Sequence, residues 1–166
     1  MFKSSPMLRS IFVVSCMLLS TCVPIGSGQT PKGGTDVAIV VHPDTPVSGL
    51  TMDEVRQVFR GDRQYWSKNV PVVLIMRAPV SREREVVLRS IFQMNDSQFK
   101  QYWVGKIFRA ETTSAPKIVY SNTMASQLVS AVPGAIAFMD AKDLKPGLKV
   151  LPINGILPGQ ANYPIH

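Results

Sequence analysis

The chain has 166 residues, 45% of them hydrophobic, with 18 basic against 11 acidic side chains and a formal net charge of +7. Two cysteines (Cys16, Cys22) and two histidines (His42, His166) leave little material for disulfide, thiolate or histidine–metal chemistry, so no metal and no cofactor is expected. No basic block, zinc-ligand spacing or reader motif accompanies the charge, and nothing beyond the charge itself supports nucleic-acid binding.

Lys3 and Arg9 precede an apolar run, Ile11 to Leu19, and small or turn-forming residues follow as far as Gly28. That order predicts a secretory signal over residues 1–28, with export to the periplasm. The run is short for a bilayer span, a retained membrane anchor being the competing reading. Cleavage near Gly28 releases a soluble chain. Processing before Cys22, which follows Leu19-Ser20-Thr21 in the manner of a lipoprotein signal, instead gives a lipid anchor at Cys22. Both cysteines lie in this segment, so the exported domain has no disulfide. Residues 29–36 (QTPKGGTD) form a Pro/Gly linker, and residues 37–166 are long enough for a single domain with its own core.

Val37 to Val41 is a continuous β-branched run and reads as a buried strand. His42 to Gly49 is a loop. Thr51 with Glu54 forms a capping box that opens a helix to about Phe59, with Met52, Val55, Val58 and Phe59 facing the core. Gly61 ends it, and Tyr65 and Trp66 follow in a turn. Val70 to Met76 is a second strand, stopped at Arg77. The turn Ala78-Pro79-Val80 leads to Ser81 and a helix reaching Gln93, whose apolar face is Val87, Leu88, Ile91 and Phe92. Asn95 and Gln98 open another helix, in which Phe99, Tyr102, Trp103 and Phe108 read as core aromatics. Lys117 to Tyr120 is a strand; Ser121 or Asn122 caps a helix carrying Met124, Leu128, Val129 and Val132. Pro133-Gly134 breaks that pattern before the strand Ala135 to Met139, and Leu148 to Ile153 is a fifth strand. Strands alternating with helices predict an α/β domain with a mainly parallel sheet flanked by helices.

Enzyme motifs are missing. There is no GxSxG, HExxH, P-loop or Gly-rich dinucleotide turn, His42 reads as a strand-end residue, and Asp140 and Asp143 read as solvated loop carboxylates. No nucleophile, base and orienting group assemble, so catalysis is not expected. The chemistry that does stand out is at Arg77 and Ser81. An arginine at a strand end, followed by a capping serine and a helix start, suits an anion, because guanidinium forks and free helix amides both favour negative charge. The competing reading is a surface arginine beside an ordinary N-cap serine. Ser121 and Asn122 start a second helix after a strand, and two such starts on one sheet edge make a polar crevice where α/β folds bind ligands.

The segments VAIVVHPDTPVSGLTMDEVRQVFRGDRQYW, VVLIMRAPVSREREVVLRSIF and VPGAIAFM resemble, in order, the phosphate-type periplasmic substrate-binding proteins of ABC transporters. Pro43 to Trp66 is similar to that family's "NPxNPVxxLTxxQLxxIFxGxxxxW" loop. Pro133 to Phe138 is similar to its "PGAIGY" strand, and Ile153-Asn154-Gly155 with Tyr163-Pro164-Ile165 to its "(I/V)DG…YP(L/I)" run. The resemblance implies one lobe of a type II periplasmic binding protein. Full-length members close two lobes over the ligand, and the leading lobe is not in this sequence. It further implies non-catalytic binding of phosphate or another small oxyanion, no cofactor, and ABC transporter membrane subunits as partners. Arg77 and Ser81 fall in register with the family's phosphate-binding arginine and serine. Arg82 stands where the family has glycine and could assist an anion, and Glu83 stands where it has threonine. The alternative is a ligand-free interaction protein of the bacterial envelope that reuses the lobe to dock on a partner or on itself.

Overall fold

The computed structural model describes residues 35–112 and 114–166. The signal segment, the Cys22 alternative and the linker before Thr35 lie outside the described residues. The elements are β1 (Val37–Val41), α1 (Met52–Phe59), β2 (Tyr65–Ser67), β3 (Val70–Pro71), β4 (Val73–Arg77), α2 (Arg82–Val87) running into a π-helical turn (Leu88–Phe92), α3 (Asp96–Phe108), β5 (Lys117–Val119), α4 (Asn122–Ala131), β6 (Ala135–Asp140), a 3₁₀ turn (Ala141–Asp143) and β7 (Lys149–Val150).

Five strands form one sheet in the order β5-β4-β6-β1-β7. β4 is parallel to both β5 and β6, whereas β1 is antiparallel to β6 and to β7. Four strands therefore point one way and β1 alone opposes them, giving the mainly parallel α/β sheet expected. Alternation along each strand sends side chains to two cores. Ile39, Val41, Met76, Ile136 and Phe138 join Phe59 of α1, Phe92 of the π turn and Phe99 of α3 on one face. Val40, Ile75, Ala137 and Met139 meet Ala125 and Val129 of α4 on the other. Edge-to-face contacts link Phe59 to Phe92 (6.3 Å) and Phe92 to Phe99 (4.9 Å), geometries that aromatic quadrupoles favour.

Local chemistry explains most boundaries. Thr51/Glu54 and Asn95/Gln98 both make complete capping boxes. Several expectations are corrected. Tyr65 and Trp66 are not in a turn: they start β2, which pairs with β3 as a hairpin. Trp66 is buried and its Nε1 donates to the Gly134 carbonyl at 2.8 Å. The expected strand from Val70 to Met76 is divided at Pro71, which has no N–H to carry a ladder onward, and β4 begins at Val73. The helix after Ser81 widens into a π turn at Leu88 and stops at Gln93, whose φ is 57°. Phe108 is 91% exposed rather than core, since at about 100° per residue it lies roughly 180° around α3 from Phe99. The expected fifth strand shrinks to Lys149–Val150, Pro152 interrupting it before Ile153 makes isolated bridges to Leu50 and Ile156.

Candidate ligand-binding cleft

β4, β5 and β6 end at the same edge of the sheet, with Arg77 opposite Val119 in the β4–β5 register. After Arg77, the Ala78 amide continues the ladder to the Val119 carbonyl (2.8 Å). The chain then turns through Val80, a β-branched residue at φ 68° and 94% exposed. Such a conformation is disfavoured and persists only where its surroundings hold it. Ser81 is the N-cap of α2, but its hydroxyl donates to the Ala78 carbonyl at 3.1 Å and makes no capping bond. Its oxygen lone pairs stay available, and the turn is closed by the side chain itself.

Arg77 is half-buried. Its Nε and Nη1 are shielded from water and find no acceptor among the described residues. Burying an unpaired donor costs about 1–3 kcal/mol, which an arriving acceptor recovers. The Arg77 carbonyl accepts from Nη1 of Arg84 (2.8 Å). Arg84 is itself buried, donates to Asp96 through Nε (3.0 Å) and Nη2 (2.7 Å), and lies 4.7 Å over the Phe99 ring. This residue, which holds the strand end against α3, was not legible as part of the site.

Arg82 is turned elsewhere. Its guanidinium donates to the Thr35 carbonyl (2.7 Å) and to Asp140 (2.9 Å), and Lys142 adds a second cation 3.3 Å from the same carboxylate. Asp140 is therefore not the solvated loop carboxylate expected but a strand-end residue only 2% exposed. Burial is the largest single influence on its carboxyl and works against the charge. The hydrogen bonds from Arg82 and Lys142 together outweigh it and hold the pKa below the ordinary carboxylate value. A depressed carboxyl contributes stability above its unfolded pKa and loses it as pH falls through the folded one. Urea unfolding of the parent and of Asp140→Asn between pH 7 and pH 2 should therefore converge below pH ~4, the parent losing the larger share. Parallel pH curves would refute the coupling.

The second helix start sits alongside. Ser121 caps α4, accepting from the Met124 amide at 3.0 Å. Asn122 Nδ2 donates both to Glu83 (2.8 Å) and to Asp143 (2.6 Å), an orientation that only the NH₂ side of the amide can satisfy. The Oδ1 of Asn122 is then buried without a donor among the described residues. Glu83 is 7% exposed, so the residue in the threonine position reaches across to the other helix rather than into solvent. A cleft of ≈ 510 Å³ opens between these groups, lined by Arg77, Tyr120, Ser121, Asn122, Asp143 and Lys145 among others. Arg77, Ser121 and Asn122 are thus brought to one cleft; Ser81 closes the turn behind Arg77, and Arg82 faces the start of β1.

The sheet order and the cleft at the strand ends describe one α/β lobe, with a single reversed strand in a mainly parallel sheet. Three solved structures share it. One is a protein assigned as a phosphate ABC transporter substrate-binding protein, with bound phosphate, from Clostridium perfringens (TM-score 0.59, 17% identity, covering 73% of this chain and 46% of that one). The others are an ABC-type phosphate transport receptor from Vibrio cholerae (0.63, 17%, 78% and 53%) and PstS from Borrelia burgdorferi (0.61, 15%, 78% and 53%). At these identities the likeness is one of fold, and the chain spans about half the length of the structures it matches. No protein-family model matches the sequence, and no curated protein does.

Proposed function

We propose that this chain is an exported, non-catalytic solute-binding lobe that takes phosphate or another small oxyanion and serves an ABC transporter. One observation carries the reading: the two buried guanidinium nitrogens of Arg77 that lack an acceptor at the edge of the cleft. Arg77 supplies a charged fork to the oxyanion. Ser81, on the turn, offers hydroxyl lone pairs to a protonated ligand oxygen. Ser121 and Asn122 bring the first turn of α4, whose free amides favour negative charge. Arg82, spent on Asp140 and the Thr35 carbonyl, stands outside the cleft lining. Glu83 replaces a hydroxyl with a carboxylate, so a plain anion is held more weakly than a full set of donors would hold it. The fold likeness to phosphate-binding receptors supports the same assignment. The signal pattern over residues 1–28 supports a periplasmic location, with a lipid anchor at Cys22 as the alternative.

Calorimetric titration of the purified protein with phosphate, sulfate and acetate tests this. At least one oxyanion should bind, and Arg77→Ala should weaken it by about tenfold or more. Equal binding by the variant, or no binding at millimolar concentrations of these three or of any organic phosphonate or carboxylate probe, would remove the proposal.

A second reading, an envelope lobe that docks on a protein partner or on another copy, is favoured by Tyr120, 75% exposed at the cleft, and by Val80, 94% exposed on the turn after Arg77. Sedimentation velocity of the protein alone and with envelope extract addresses it; a monomer in both would count against it.

A further inference from the structure

We infer that the oxyanion taken by this cleft carries a positive charge of its own, making the ligand a small zwitterion with an ammonium group a few bonds from its anionic end. The inference rests on the proposed anion site and names the class of substrate it selects. The cleft is unbalanced in two opposite senses. On one side Arg77 has two buried guanidinium nitrogens, Nε and Nη1, without an acceptor among the described residues. On the other, Glu83 and Asp143 converge on a single neutral amide. Lys142 and Lys145 also line the cleft, yet neither carboxylate has a lysine or arginine nitrogen within 4.0 Å among the described residues, Lys142 being paired with Asp140. The Oδ1 of Asn122 adds a buried acceptor with no donor.

Each candidate ligand class leaves a different remainder. A bare inorganic anion satisfies Arg77 and brings negative charge toward two carboxylates already short of a partner. A simple cation satisfies the carboxylates and leaves the arginine donors unmet. A zwitterion answers both: its oxyanion accepts from Arg77, and its ammonium donates to Asp143 and to Asn122 Oδ1 with Glu83 behind them. The substitution that weakens the case for phosphate, Glu83, then becomes a determinant of specificity, because buried polar groups left unpaired discriminate strongly against ligands lacking the matching group. Asp143 is exposed at the mouth, where a ligand ammonium reaches it without repacking the core.

The test uses two matched pairs on the purified protein at constant ionic strength: 2-aminoethylphosphonate against ethylphosphonate, and β-alanine against propionate. The pairs also distinguish a phosphonate from a carboxylate as the anionic end. In at least one pair the amino member should bind about tenfold more tightly, a difference that Asp143→Asn reduces to about twofold while the fold, read by circular dichroism, is unchanged. Glu83→Gln provides a second variant with the same expected direction. Equal or tighter binding of the member without the amino group, or a preference untouched by Asp143→Asn, overturns the inference and leaves the anion site standing. Binding that appears only after Mg²⁺ or Ca²⁺ is added assigns the carboxylates to a metal and also overturns it. If inorganic phosphate binds and none of the four probes does, the inference alone fails. If nothing binds, both fail.

Discussion

Gly134→Ala should abolish folding or cost more than about 4 kcal/mol, the range reached only by a few mechanisms. Gly134 has φ +78°, and a Cβ there would sit 2.0 Å from the Pro71 carbonyl oxygen and 3.2 Å from both the Pro71 carbonyl carbon and Cγ1 of Val70. The obstacle is backbone, which cannot rotate away as a side chain would. The same residue's carbonyl accepts from Trp66 Nε1 (2.8 Å) and from the Val73 amide (3.0 Å). Moving Gly134 therefore displaces the β2–β3 hairpin and the start of β4 together. Gly147→Ala is the control, for Gly147 has φ +90° with nothing within 4 Å of the added carbon. It should lose only the roughly 1–2 kcal/mol that left-handed backbone costs an ordinary residue. Equilibrium urea unfolding compares them, and similar losses in the two variants would show that the clash relaxes.

Arg84→Ala should lower stability by about 3 kcal/mol, through a buried polar network left without its centre. The guanidinium is only 3% exposed on its side chain, and it bridges Asp96, the Arg77 carbonyl and the Phe99 ring. Asp96 is about a third exposed, so its charge can be rehydrated after the loss, which keeps the cost below that of a fully buried pair. Lysine is a poor substitute, because one ammonium cannot donate along the three directions that the planar fork serves. Arg84→Lys should therefore recover less than half of the loss. The carboxyl of Asp96 is held low by its bonds to Lys100 and Arg84, so the variant should also raise its pKa, measurable by carbon-detected NMR titration. A loss under about 1 kcal/mol would mean that the network is replaceable by water.

The parts of the fold legible in the sequence are those set by local chemistry and strong periodicity. β1 as a wholly buried strand, the capping boxes at Thr51 and Asn95, and the apolar face of Val87, Leu88, Ile91 and Phe92 all follow from short-range patterns. What was not legible depends on partners distant in sequence. Trp66 lies in a local hairpin with β3, but its burial depends on the Gly134 carbonyl, 68 residues away, which accepts from its indole N–H. Asp140 turns from a loop carboxylate into a buried one because β1 and Arg82 close over it. At the candidate site, Arg77 could be singled out from its position between a strand and a helix. The pairing of Glu83 with Asn122 could not, since it requires knowing that α2 and α4 start side by side. Phe108 shows the opposite error, in which a residue rich in apolar surface is assigned to the core although the helical angle turns it outward.

The solitary reversed strand has a consequence in time. All five residues of β1 are fully shielded from water, yet among the described residues β1 precedes every other strand, and its ladder partners are residues 136–140 and 149–150. On the ribosome this apolar segment emerges well before its strand partners and waits until they have been made. Contacts of such sequence separation slow folding and prolong the exposure of sticky surface. Nascent chains stalled before residue 136 should hence associate with holdase chaperones, and chains released past residue 150 should escape them.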